Sequence, residues 1–226
     1  LEKNNINMPN WDKIYKAVNK GGQKWKDIND GVMPYCFTED INPLFVNFIA
    51  KTKFKNKSVF DIGCGEGRYL IYLSALGWQT DGVDSSQTSV ETTKQALGDK
   101  AGSIKKADMF NMNISPNKYD LIISISTINH GFKKDLSKLI NQVHEALLLE
   151  GKTFITIPDK KCINTWRTFK KHRMLDDNTA EPLIGPEKGI PHGFYTKQEI
   201  EEMFAKFKNI KMTADKTGQW LVLATK

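Results

Sequence analysis

Two rhythms of apolar and polar positions take turns along most of this chain. Short unbroken apolar runs read as strands, and between them lie stretches with apolar residues three or four apart, the spacing of a helix. The run at 58–62 is followed by helical spacing at 69–76, which Gly77 closes. The run at 79–83 is followed by a helix at 88–97, with Ser85 or Ser86 as its N-cap. A weaker strand at 103–107 comes next, then the strongly apolar 119–126, which reads as a central strand buried on both faces. Helical spacing at 136–149, Gly151 and a strand at 153–157 follow. A last helix at 197–207 leads into two strands, 210–214 and 219–224, joined by a turn at 215–218. Strand–helix alternation of this kind predicts an α/β fold. Its mostly parallel, seven-stranded sheet carries helices on both faces and ends in an antiparallel hairpin.

Two segments stand outside that alternation. Residues 1–57 precede the first strand and hold Trp11, Tyr15, Trp25, Tyr35, Phe37, Phe45 and Phe48. Residues 159–195 intervene between the fifth strand and the last helix and contain Pro182, Pro186 and Pro191. Long loops without periodicity in a compact domain are functional or disordered. The expected organisation is an N-terminal helical lid (1–57) and one ligand-binding domain (58–226) with a cap insert (159–195). Lid and cap are expected over the carboxyl ends of the strands, where open α/β sheets bind ligands.

Composition narrows the class. Of 226 residues, 39% are hydrophobic and 26% charged, ordinary values for a globular domain. No apolar run approaches the roughly 18–20 residues that span a bilayer, so no membrane partner is expected. Cys36, Cys64 and Cys162 are odd in number and scattered, which speaks against a disulfide framework or a zinc-binding CxxC pair; a reducing cytoplasm is the expected compartment. The net charge of +7 invites a nucleic-acid reading. Only three of the 33 basic residues, Arg68, Arg167 and Arg173, are arginines, and the lysines are dispersed. Bidentate phosphate and guanine recognition favours arginine, so a nucleic-acid partner is not expected.

The most specific chemistry lies at Asp61-Ile62-Gly63-Cys64-Gly65-Glu66-Gly67-Arg68, a strand-to-helix turn. Glycines there let the backbone take positive φ and approach a ligand closely. The spacing is not the GxGxxG of a dinucleotide site, because position 68 is arginine, and no GK[ST] follows as a P-loop requires. Glu66 lies inside the loop, where a pyrophosphate would feel its charge. Asp61 and Glu66 suit a cationic ligand better than an anionic one.

This turn resembles motif I of the class I S-adenosylmethionine-dependent methyltransferases, D/E-x-G-x-G-x-G after the first strand of a Rossmann-like fold. Three further segments extend the resemblance over residues 58–226. Asp84 ends the second strand, Ala107-Asp108-Met109-Phe110 follows the third, and Tyr119-Asp120-Leu121-Ile122 resembles the family's motif IV strand. Leu147-Leu148-Leu149-Glu150-Gly151-Lys152 stands where the family commonly has Leu-Lys-Pro-Gly-Gly, and departs from it. The resemblance implies S-adenosyl-L-methionine as cofactor, held by Asp61, Gly63, Cys64, Gly65, Gly67, Asp84, Ser85, Asp108, Met109 and Ser126. Asp84 would take the ribose hydroxyls and Asp108 the adenine amino group. Asp84 as an N-cap, Asp108 as a turn residue and Met109 as plain core are the competing readings, and Asp61 orients either the loop or the ligand.

Methyl transfer from a sulfonium needs mainly alignment and exclusion of water, and a base only where the acceptor arrives protonated. The loop Ser126-Thr127-Ile128-Asn129-His130-Gly131 should face the methyl group, which makes His130 a candidate base. His192, in Gly189-Ile190-Pro191-His192-Gly193-Phe194-Tyr195, is a second candidate, and Tyr195 either closes the pocket or packs. The family's signatures for exocyclic base amines and for cytosine C5 are absent here. The expected acceptor is a heteroatom of a small molecule, with an RNA or protein acceptor as the alternative, and the expected assembly is a monomer or homodimer.

Overall fold

A computed structural model describes residues 11–13, 15, 41–185, 187–215 and 217–226. After helix α1 (Pro43–Lys51) come strand β1 (Ser58–Ile62), helix α2 (Arg68–Ala75), strand β2 (Gln79–Asp84) and helix α3 (Gln87–Leu97). Next are β3 (Ala101–Lys106), β4 (Tyr119–Ser124), helix α4 (Lys133–Ala146) and β5 (Leu147–Pro158). The insert carries a one-turn helix α5 (Cys162–Thr165), β6 (His172–Met174), β7 (Thr179–Pro182) and β8 (His192–Gly193). Helix α6 (Lys197–Met203), β9 (Lys208–Ala214) and β10 (Gln219–Thr225) end the chain.

Seven strands form one sheet in the order β3-β2-β1-β4-β5-β10-β9. β1 to β5 run parallel, and β10 is antiparallel to both β5 and β9. The chain builds outward from β1 to β3, then crosses back to place β4 on the other side of β1. That reversal opens a crevice at the carboxyl ends of β1 and β4, and it decides where a ligand can enter. β4 is buried throughout. Ile122 points to the side that holds Val143, Ile155 and Phe204, while Leu121 and Ile123 point to the side that holds Leu70, Phe154 and Phe45. Alternate side chains of a strand face opposite ways, so a continuous apolar run is what a strand between two helical layers requires.

Asp120 is a buried carboxylate in that apolar strand. Its Oδ2 accepts the Ser58 N–H and hydroxyl and the Asn56 N–H, and the bonds tie the start of β1 to β4. The donors repay the cost of burying the charge.

The structure departs from the expected elements in three places. Helix α4 ends at Ala146, and β5 begins at once with Leu147, although the apolar spacing continues to Leu149. The register slips between the Tyr119–Leu147 and Leu121–Lys152 pairs, and Glu150 has φ 64°. A bulge therefore hides the strand's two-residue period. The insert is not structureless, because β6, β7 and β8 form a second, three-stranded sheet. Phe45 and Phe48 do not line a lid; both rings pack edge-on or tilted against Phe154, and Phe45 also meets Tyr69. Trp25, Tyr35, Cys36 and Phe37 lie outside the described residues.

Candidate active site

All three glycines of the turn after β1 have positive φ: 75° at Gly63, 54° at Gly65 and 80° at Gly67. A Cβ at Gly63 would run into the Thr127 side chain, and one at Gly67 would lie 2.6 Å from Thr93 Cγ2. The loop is lashed to its neighbours by Gly63 and Cys64 N–H bonds to the Val83 carbonyl and by the Thr93 hydroxyl bond to Gly65 O. Cys64 is buried and turns toward Gly82, and burial pushes its thiol well above the usual range. It serves as packing, not as a nucleophile.

Three carboxyl groups ring this loop. Burial, reinforced by Asp84, pushes Asp61 up to about 8, against the pull of Arg68. Burial also raises Asp84 and Glu66. Desolvated acids held close together favour a ligand that brings positive charge, and disfavour a phosphate. Asp84 accepts the Gly65 N–H through Oδ2 and the Ser86 N–H through Oδ1, each at 2.9 Å. Each carboxylate oxygen has a second acceptor position beyond those bonds. Ser85 follows Asp84 half-buried, and the N-cap of α3 is Ser86, whose hydroxyl accepts the Ser89 N–H.

Residues near the start of the chain close over the loop. Asp12 Oδ1 accepts the Ser86 hydroxyl and the Thr88 N–H, at the mouth of α3. The Tyr15 hydroxyl reaches the space above Gly65, and burial together with Asp84 keeps that phenol protonated. Sequence pattern placed this segment over the site and named Tyr15 among its aromatic residues, but it did not single out Asp12.

Beyond β3, the Asp108 carboxylate accepts from the Phe110 N–H and the Asn111 side-chain amide, which stabilises its own turn. Met109 is buried in the core cluster that contains Ile114 and Ile128. Phe110 covers Gly131, so the turn after β3 touches the loop after β4. In that second loop Ser126 takes φ 56°, with its N–H held by Thr156 Oγ1 at 2.8 Å. A non-glycine residue in the left-handed region is a strained backbone, and such positions cluster at functional sites.

His130 and His192 meet across the crevice, with ring centroids 4.6 Å apart in a T-shaped contact. The motif IV loop and the insert are joined there by the Gly193 N–H bond to Asn129 O at 2.7 Å. Trp11 also packs against the His130 ring, tilted, with centroids 4.8 Å apart. Desolvation and the facing His192 push His130 down to about 3. It is thus a neutral imidazole at physiological pH, with weak pull on a proton. His192 is buried, its Nδ1 lies 2.8 Å from Ile190 O, and its Nε2 lies 3.4 Å from Glu187 Oε2. Sequence spacing did not single out Glu187, which stands among prolines and lysines with no periodic neighbour. Tyr195 is fully buried in the core with Ile157, Ile200 and Phe204, its hydroxyl crowding Gly193. The fold thus brings the two histidines together, while Tyr195 serves the packing beneath them.

The model of a methyltransferase domain family matches residues 38–208. A ubiquinone biosynthesis O-methyltransferase of Bartonella quintana is 25% identical over 73% of this chain and 64% of its own length. The chain therefore spans less than two thirds of that curated relative. One from Pelagibacter ubique is also 25% identical, over 70% of this chain and 67% of its own. Among solved structures, a Pyrococcus horikoshii protein superposes with a TM-score of 0.67 at 14% identity, covering 98% of this chain and 93% of its own. An S-adenosylmethionine-dependent methyltransferase of Mesorhizobium loti gives 0.64 at 15% identity, covering 84% and 100%. Among the described residues no helix is long and apolar enough to cross a membrane. The glycine cradle, its acidic rim and the matched family agree: the chain belongs to the methyltransferase domain family, with the fold of the class I S-adenosylmethionine-dependent enzymes.

Proposed function

We propose that the enzyme moves the methyl group of S-adenosyl-L-methionine to a heteroatom of a small-molecule acceptor by in-line displacement. One observation carries the reading. Both Trp11 near the start of the chain and His192 of the insert pack against His130 in the loop after β4, an enclosure that suits a small acceptor. The curated relatives are named for O-methylation, which favours a hydroxyl as the atom methylated.

The cofactor supplies an electrophilic methyl carbon on a good, neutral leaving group. The residues of this chain do the rest. Gly63, Gly65 and Gly67 leave room for the amino acid portion, and Asp61 and Glu66 are carboxyls that an arriving sulfonium and ammonium would draw into the ionised form. Asp84 offers its remaining lone pairs to the ribose hydroxyls while its backbone bonds hold the loop still. Ser85 and Met109 border the nucleoside, and Asp108 keeps the turn that frames the adenine. Ser126 and Thr127 fix the floor beneath the methyl group. Trp11, Asp12 and Tyr15 act as part of a lid and 159–195 as a cap, together excluding water. A panel of phenols, catechols, thiols and carboxylic acids, assayed for the demethylated cofactor product, tests the reading. Turnover with one of these supports it; turnover only with RNA or a protein, with steeply salt-dependent binding, replaces it with the alternative.

A further inference from the structure

We propose that His130, Glu187 and His192 form a binding site for a divalent first-row cation such as Zn²⁺, at the acceptor end of the crevice. One nitrogen from each histidine and one glutamate oxygen all lie within 4.8 Å of one another. Two ligand atoms of a tetrahedral ion at about 2.0–2.2 Å stand roughly 3.3–3.5 Å apart. His192 Nε2 and Glu187 Oε2 are already 3.4 Å apart. The outer partner of His192 is also in place. Ile190 O can only accept, so the imidazole Nδ1 carries the hydrogen in that bond and Nε2 points into the cluster. A histidine ligand is commonly oriented this way, by a backbone carbonyl on its second nitrogen. Phe169 packs edge-on against the His192 ring and holds its plane. Among the described residues Glu187 meets no lysine or arginine, so its buried charge faces two imidazoles alone. Two imidazoles and one carboxylate leave an open position, the pattern of sites that bind a water or a substrate oxygen. Only the use of that position on an acceptor oxygen rests on the reading above; the binding site stands on these three side chains.

The test is a calorimetric titration of the full chain with Zn²⁺, without acceptor or cofactor, repeated with Glu187→Gln and His192→Ala. The expected result is one ion per chain, with affinity at least tenfold weaker in each variant. Co²⁺ in place of Zn²⁺ should give the intense visible absorption of a four-coordinate ion, absent in Glu187→Gln. Glu187→Gln keeps shape and volume, so it decides the matter even where His192→Ala melts early. A parent protein that takes up no Zn²⁺, or variants that bind it as tightly as the parent, would overturn the site and leave a Glu187–His192 pair. Because the titration involves no methyl transfer, its failure is distinct from failure of the proposed activity, which the acceptor panel reads separately.

Discussion

The cradle after β1 and the cap over the acceptor end are both loops at the carboxyl edge of one sheet, yet they are built on different terms. The cradle is fixed by backbone: three positive-φ glycines, carbonyl bonds to Val83 and a carboxylate clamp from Asp84. The cap is also held by backbone bonds, but its candidate chemistry comes from side chains drawn from distant positions, with His130 from one loop meeting His192 and Glu187 from another. Backbone-built sites leave a readable signature because glycine spacing is local. Side-chain-built sites assemble only when the fold does, and their spacing along the chain is arbitrary.

The hardest way to break the cradle is Gly63→Ala. The new Cβ would meet Thr127 as well as an unfavourable φ of 75°, and strain of this kind costs about 1–3 kcal/mol before the clash is counted. Urea unfolding should register the loss, and cofactor binding should disappear with it. On the other side of the comparison, His130→Ala should lower kcat by roughly a hundredfold through lost alignment of the acceptor, the size of effect that a misplaced reactant produces. Cofactor affinity in that variant should stay that of the parent. A matching loss of cofactor affinity would move His130 from the acceptor end to the cradle.

Asp84→Ala should weaken cofactor binding by roughly 1–3 kcal/mol, the cost of leaving buried polar groups unpaired. Calorimetry that finds the affinity unchanged would remove Asp84 from the ribose. The mildest effect is one of pH. Asp61 holds its proton in the folded chain up to about 8, against 3.8 for the free group. Between those values the folded state binds more protons than the unfolded one, so stability of the cofactor-free protein falls as pH rises through this window. A cationic ligand prefers the ionised carboxyls of Asp61, Asp84 and Glu66. The rise in Tm on adding S-adenosylmethionine should therefore grow between pH 6 and pH 8.5, and a constant rise would separate these acids from the bound charge.

Much of the sheet was legible because its signals are short-range. The run 58–62 and the part 119–124 of the run 119–126 are buried on both faces and look it, while Ile125 and Ser126 already belong to the loop, and the Gly-x-Gly-x-Gly turn declares its own backbone. The failures have physical causes. Leu147 to Leu149 continue an apolar helix pattern into a bulged strand, so no polar break marks the boundary. Strands β6 to β8 are two to four residues long, too short to show a period of two. Phe45 and Trp11 look alike in sequence, but one lies in the core beside Phe154 and the other over His130, which only the path of the chain decides. Asp108 spends hydrogen bonds on its own turn, as its residue type allows anywhere. Glu187 had nothing near it to suggest a role.

The insert leaves β5 and comes back to α6 at nearly the same point. Tyr195 N–H bonds Pro158 O, Lys160 N–H bonds Tyr195 O, and Asp159 bridges Tyr195 in parallel. A detour whose two ends are buttoned together can grow, shrink or be exchanged without shifting the strand before it or the helix after it, since the entropy of closing a loop rises only slowly with its length. The fold thus separates inheritance from invention. Under the proposed function, donor handling stays with the sheet and acceptor choice falls to a segment that lineages, or protein engineers, can exchange at this seam together with its bond to the loop after β4.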